Sequence, residues 1–272
     1  MRRQKVVLFL SGLVILTAVL ILPQGLFAQE LSYDGGSELG VWVMPEAAKI
    51  FEAKTGKKFK SISYVLGSGK GLEAAMEGNI PMAGVSRVLT AEEKKKVYSQ
   101  IVGYDAIAIY VNAKNPVTNL SKEQLKAIYK GKITNWKEVG GKDAKIIPVT
   151  EALLDKGATL RAFQDTVLDS TEFGPTIKEV DRSHNAAKYV GAYEDAIGYA
   201  SIAFKNPKIR PISFNNIKLS DENVRNWKYT LSRPLNLVTK EQPTGDLKKF
   251  FEFILSPEGQ AIVSKHFIPV KP

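Results

Sequence analysis

The chain of 272 residues contains no cysteine and only two histidines, His184 and His266. Without cysteine there is no disulfide framework, no thiol nucleophile, no thiolate-bound zinc and no lipid-modified cysteine of the bacterial lipoprotein kind. Two histidines far apart in sequence exclude a histidine-rich metal centre, and a Ser-His-Asp triad has only those two to draw on. No DxD, HxH or GxSxG pattern occurs, so the paired nucleophile and base, or the carboxylate cluster, that a phosphatase or other hydrolase needs is missing. The expectation is a chain that is not an enzyme, with no metal and no cofactor. Long blocks of like charge, internal repeats and low-complexity tracts are also absent. The densest basic stretch, Lys94-Lys95-Lys96, sits beside Glu92 and Glu93 and reads as a solvated helix face, not a nucleic-acid patch.

What is present is the balance of an ordinary globular chain, 44% apolar and 24% charged, long enough for one large or two small domains. The first residues stand apart. Arg2, Arg3 and Lys5 precede an apolar run over 6–22, and a small residue, Ala28, follows, which is the plan of a secretory signal cleaved after Ala28. An uncleaved anchor is the competing reading, and either way the body lies outside the cytoplasm, with the periplasm as the expected compartment. Removing those three basic residues lowers the formal charge from +10 to +7, which suits an anion binder and any soluble protein alike.

Beyond the signal, short β-branched runs alternate with helical patterns, the mark of an α/β sheet covered by helices. Strands are expected at 31–33, 59–65, 81–85, 104–111, 145–149, 196–201, 229–231 and 235–238. Pro45 implies a kink or late helix start, the run 67–71 reads as a turn before a helix over 72–77, and Thr90 with Glu93 forms a capping box. Ser121 with Gln124 opens a second boxed helix that Gly131 ends. Further helices are expected over 159–167, 184–190 and 246–255, and from Ser256-Pro257 to Lys265. The chain leaves one lobe near Val111 and returns near Phe204. That predicts two lobes, 29–111 plus 205–272 and 112–204, joined by two crossings with a cleft between them.

Four turns rich in glycine and hydroxyl residues lie at strand–helix junctions: Gly35-Gly36-Ser37, 67–71 with Ser68 and Gly69, Ser86-Arg87, and Lys156-Gly157-Ala158-Thr159. The first turn of a helix offers unpaired N–H donors and partial positive charge, glycine admits a close approach, and hydroxyls add donors, so together the four favour an anion. Arg87, Lys70 and Lys156 add possible charge-assisted bonds. Trp42, Trp136 and Trp227 read as core or lobe-edge residues, not an aromatic cage.

A resemblance is carried by 103–117, by Leu120-Ser121-Lys122-Glu123-Gln124-Leu125, by Ile128-Tyr129-Lys130-Gly131-Lys132-Ile133-Thr134-Asn135-Trp136, by Leu231-Ser232-Arg233-Pro234-Leu235 and by 253–260. These segments and the order of the four turns resemble the phosphate-binding proteins of bacterial ABC phosphate transporters. The resemblance implies a two-lobed, type II periplasmic-binding-protein-like fold. It also implies a monomer that clamps phosphate between lobes and passes it to a membrane permease. It assigns Ser37 and the N–H groups of Glu38 and Leu39 to the first loop, where the family more often has two hydroxyl residues. Ser68 and Gly69 fall in the second loop, and Ser86 and Arg87 in the third.

The fourth loop departs from the family pattern of an arginine followed by Gly-Ser-Gly-Thr. Here Glu151 to Thr159 lacks the arginine, Gly157 and Ala158 replace Ser and Gly, and Thr159 survives. Lys156 replaces the charge without a guanidinium's fork, and Arg161 points either way. Phosphate is the leading ligand, with another oxyanion, or a lobe recruited for signalling or adhesion, as alternatives. Rejecting sulfate calls for a carboxylate that accepts the phosphate proton, and Glu38, Asp105, Glu151 and Asp155 are the candidates.

Overall fold

In a computed structural model that describes residues 31–154 and 157–270, the alternating pattern becomes a mixed sheet with helices on both faces. The expected signal segment, Asp155 and Lys156 lie outside the described residues. The chain begins with β1 (Ser32–Gly35), α1 (Ser37–Trp42) and α2 (Met44–Thr55). The two helices part at Val43, with Pro45 in the first turn of α2, where its missing N–H has no partner to lose. Next come β2 (Ser61–Ile62), α3 (Gly67–Glu77), β3 (Met82–Val85) and the single turn α4 (Ala91–Lys94). The run 67–71, expected as a turn, is instead the opening of α3. Gly71 lets that helix press on β1, since a Cβ there would fall 2.9 Å from the Gly35 Cα.

The long strand β4 (Tyr98–Asn112) leads to β5 (Asn119–Leu120), then to α5 (Lys122–Tyr129) with its Ser121/Gln124 capping box in place. A 3-10 turn (Trp136–Val139) and β6 (Ile147–Glu151) precede α6 (Ala158–Leu168), β7 (Lys178–Val180), α7 (Ser183–Ala192) and β8 (Ala196–Ser201). The chain finishes with β9 (Ile209–Pro211), β10 (Ser213–Phe214), α8 (Asp221–Arg225), β11 (Ser232–Thr239), α9 (Gly245–Leu255) and α10 (Pro257–Ser264). Residues 229–231 do not form the expected strand. The Ser232 N–H and hydroxyl both donate to the Tyr229 carbonyl, at 3.0 and 2.5 Å, and close a turn there, so β11 starts at Ser232.

Among the described residues the main sheet has nine strands, in the order β2-β1-β3-β11-β4-β8-β6-β7 with β9 also paired to β4. β4 is its spine. From Tyr98 to Ala106 it runs antiparallel to β11, and from Ile107 to Val111 antiparallel to β8. The change of partner between Ala106 and Ile107 divides the sheet into two halves. The sequence reading placed the return near residue 205. The strands that follow pair otherwise: β9 lies on Tyr110–Asn112 and β10 on β5, and Val224 of α8 joins the same core as Phe163 and Tyr199. The chain regains the β1/β3 half of the sheet only at β11.

Each half has its own core on both faces. In the first, Leu39, Ala47, Phe51, Phe250 and Ile254 pack over Tyr33, Leu235 and Leu237, while Leu72 and Ala75 of α3 cover the other side. The stripe Leu247, Phe250, Phe251, Ile254 on α9 has helical spacing, and each side chain contributes ~2 kcal/mol by leaving water. In the second, α5 and α6 cover β8 on one side and α7 covers it on the other.

Candidate functional site

The helices of the fold differ in how their starts are capped, and α2 and α9 begin without a side-chain cap. Thr90, Ser121, Ser220 and Ser256 cap α4, α5, α8 and α10 with their side chains. The N-cap residues of α1, α3, α6 and α7 (Gly36, Leu66, Gly157 and Arg182) make no such bond. Those first-turn N–H groups are therefore not taken by their own caps. Ser37 is the first residue of α1, followed by Glu38 and by Leu39, whose side chain is buried in the core. Ser68 and Gly69 lie in the first turn of α3, with Ser68 buried, and Ser86 is buried just past β3. The Ser86 N–H donates to Ser68 Oγ at 3.1 Å, which leaves the Ser68 hydroxyl proton available. A Cβ on Gly36 would sit 2.9 Å from both Ser68 Oγ and Ser86 Oγ, so the two hydroxyls meet at the start of α1 and only glycine fits between them.

The floor of this pocket is an arginine at the change of partner. Arg233 of β11 pairs in register with Asp105 of β4. Its Nε and Nη2 donate to Asp105 Oδ2 at 2.9 and 2.7 Å, and Nη2 also donates to Glu38 Oε1 at 2.7 Å. Asp105 Oδ1 accepts from the Ala106 N–H and the Ser201 hydroxyl, each at 2.8 Å, and from the Ile202 N–H at 3.3 Å. One carboxylate thus fastens β4, β8 and β11 where the lobes join. Burial raises the Asp105 pKa above the usual range against the pull of Arg233. Burial also opposes the Arg233 charge, but Glu38 and Asp105 outweigh it and hold the guanidinium protonated. Its third nitrogen, Nη1, is buried with no partner. An orphaned donor costs about 1–3 kcal/mol, more when charged, so this nitrogen is the unsatisfied point of the cluster.

The second lobe presents a different surface. Gly157 caps α6, Ala158 and the buried Thr159 form its first turn, and α7 starts nearby. Glu151, at the end of β6, puts Oε1 on the Leu160 N–H at 2.6 Å and Oε2 on the Ser183 N–H at 3.1 Å. One side chain therefore occupies the positive ends of both helices. A Cβ on Gly157 would come 3.0 Å from Glu151 Oε1, so glycine keeps that contact open. Burial raises the Glu151 pKa, while the Leu160 and Ser183 N–H groups and Arg233 lower it.

Of the residues singled out from the sequence, Ser68, Ser86 and Glu38 come together with the start of α1, and Gly157, Ala158 and Thr159 lie across from them. The Arg87 side chain does not join them. Its two terminal nitrogens hold Glu93 at 2.7 Å each, on the α4 side. Arg233, quoted above only as part of a family segment, is the residue the motif reading missed. The signal was available: a lone arginine in the apolar run 232–238 and a lone aspartate in 102–111 each demand an opposite charge if buried. Of the tryptophans, Trp136 is core, Trp227 is half exposed, and Trp42 packs against His266 and Phe204. No group of three or more His, Cys, Asp and Glu suited to a metal occurs among the described residues.

Comparison with known proteins places this geometry. A PBP superfamily domain matches residues 37–258. The phosphate-binding protein PstS of Bacillus subtilis is 30% identical over 247 residues, 88% of this chain and 80% of the relative, and that of Staphylococcus saprophyticus is 30% identical over 262. A crystal structure from Clostridium perfringens, described as a phosphate ABC transporter substrate-binding protein with bound phosphate, is 36% identical with a TM-score of 0.76. It covers 89% of this chain and 100% of its own. An ABC-type phosphate transport receptor from Vibrio cholerae is 28% identical, with a TM-score of 0.73 over 87% of this chain and 97% of its own.

Proposed function

Because this chain belongs to the PBP superfamily and, within it, to the PstS phosphate-binding proteins, we propose that it captures inorganic phosphate between its lobes and delivers it to an ABC permease. The observation that carries the reading is the Arg233 guanidinium, held on one edge by Asp105 and Glu38 with Nη1 buried and unpartnered beside uncapped helix starts. The ligand set is Arg233 Nη1, the hydroxyls of Ser37 and Ser68, the N–H groups of Glu38, Leu39 and Gly69, and Gly157, Ala158 and Thr159 from the second lobe, while the Ser86 hydroxyl donates to Glu38 Oε2 at 2.9 Å and positions that carboxylate. A buried anion needs that many fixed donors, since an unpaired charge in a closed cleft is costly. Only the closed form supplies donors from both lobes, so the ligand biases a hinge at the β4 passage. Arg87 stays outside this set, held by Glu93.

The lobes divide at Ala106/Ile107 and again at Leu231/Ser232, so that β9, β10 and α8 travel with the second lobe. The chain works outside the cytoplasm as a monomer, and it binds without catalysing. No helix among the described residues is long and apolar enough to cross a membrane.

Isothermal titration of residues 29–272 with phosphate, and separately with sulfate, tests the reading. Saturable phosphate binding that Arg233→Lys weakens at least ~tenfold is expected, because an ammonium loses the fork. A folded protein that ignores phosphate, or binds it equally well with Arg233→Lys, defeats it.

A further inference from the structure

A second cavity, with a volume of about 580 Å3, shares no lining residue with the phosphate set named above. Its walls are the loop after β8, the two ends of α8, and Ser264 with residues 266–269. Each wall is fastened in place. The Ile202 N–H donates to the Ala106 carbonyl at 3.0 Å, and Tyr104 and Ile268 exchange two backbone bonds, at 2.8 and 2.9 Å. Val224 anchors α8 in the core, and Arg225 Nε donates to the Pro269 carbonyl at 3.0 Å. The cavity is therefore preformed, and its size falls in the ~300–1,000 Å3 range of small-molecule sites.

The lining has two faces. Ile202, Leu219, Phe267, Ile268 and Pro269 form an apolar one, in which Ile202 and Leu219 are only half-buried and keep surface to cover. Lys205, Arg225 and His266 stand on the other. Asp221 is the one acid in the lining, 3.6 Å from Arg225 Nη2. Lys205 is exposed and makes no hydrogen bond or ion pair among the described residues. Burial, and then the Lys205 charge, hold the His266 pKa below its ordinary value, so the imidazole is uncharged in neutral solution. Two cations thus face one carboxylate beside an apolar wall. We propose that this cavity is a second ligand site, for a small organic carboxylate with an unbranched hydrocarbon body. The chain lies along Ile202, Leu219 and Phe267, and the carboxylate meets Lys205 and the Arg225 nitrogens that Pro269 does not occupy. An inorganic anion would leave the apolar wall uncovered, an organic cation would meet like charges, and an alcohol would leave both cations unpaired. The residues of the two sites are distinct, so both are filled at once.

Calorimetric titration of residues 29–272 with decanoate at about pH 7.5, where the carboxylate is ionised and His266 is not, tests the site. Saturable one-to-one binding below ~1 mM is expected, with and without saturating phosphate. Affinity is expected to fall ~two- to fourfold for each methylene removed, through octanoate to hexanoate, as less apolar wall is covered. Octanol is expected to bind at least ~fivefold more weakly than octanoate, because it brings no charge to the cations. Lys205→Glu turns an attraction into a repulsion and is expected to weaken decanoate at least ~fivefold, with a thermal melt confirming the fold of this exposed-site variant. A folded protein that decanoate does not saturate overturns the inference. So do equal affinities for octanol and octanoate, an affinity that ignores chain length, or a Lys205→Glu variant that binds like the wild type. Decanoate displaced one-for-one by phosphate also overturns it, since the carboxylate then sits in the cleft. The decanoate titration without phosphate is independent of the phosphate reading, so either can fail alone.

Discussion

The two lobes meet the same cleft with opposite solutions to the same problem. On the first, the starts of α1 and α3 are left open, and the chain surrounds them with small donors: Ser37, Ser68, Ser86 and the glycine between them. On the second, the starts of α6 and α7 already hold an anion, the Glu151 carboxylate. A helix start has fixed, unpaired donors and must satisfy them with water, a ligand or a side chain. The first lobe thus leaves its helix starts without a capping side chain, and the second has supplied its own anion. Arg233 lies between the two, ion-paired with Glu38 and Asp105 and within electrostatic reach of Glu151.

The comparison breaks most completely at that floor. Arg233→Met leaves the Asp105 carboxylate buried without its counter-charge, and a cost of about 3–5 kcal/mol in urea unfolding is expected together with loss of phosphate binding. If the variant unfolds at the wild-type midpoint, Asp105 does not depend on Arg233 and the floor is misread. Next in size is Gly36→Ala on the receiving lobe. Its methyl would press on Ser68 Oγ and Ser86 Oγ, with an expected loss of about 1–3 kcal/mol and weaker phosphate binding, readable by unfolding and titration of one sample.

On the self-occupied lobe, Glu151→Ala strips one acceptor from two helix starts. An expected cost of about 1 kcal/mol, with faster amide exchange at Leu160 and Ser183, would show that the carboxylate acts as their shared cap. Unchanged exchange at both amides would separate Glu151 from the helices. The smallest effect belongs outside the cleft. Arg87→Ala is expected to cost on the order of 0.5 kcal/mol, because its pair with Glu93 is partly exposed, and to leave phosphate affinity within about twofold. Glu93, held down to about 2 chiefly by the Arg87 side chain, makes that contribution above the ordinary carboxylate range and loses it as pH falls from about 4.5 through about 2. A phosphate affinity that collapses in Arg87→Ala would return Arg87 to the site.

Much of this was legible in the chain itself. The capping boxes at Thr90/Glu93 and Ser121/Gln124, the break near Pro45, the α/β alternation and the glycine-rich junctions all depend on residues within a few positions of one another. The local rules of hydrogen bonding and backbone freedom therefore settled them in advance. The hydroxyls Ser68 and Ser86 were visible for the same reason. The charges were not. Arg87 looked like the ligand arginine by position, but Glu93 six residues away captured it. Arg233 found its partners 128 and 195 residues off, in Asp105 and Glu38, because the β4/β11 pairing set Asp105 beside it and the first turn of α1 brought Glu38 over the same edge. Which carboxylate neutralises which cation depends on distance and dielectric after the sheet has closed, and no local spacing encodes either.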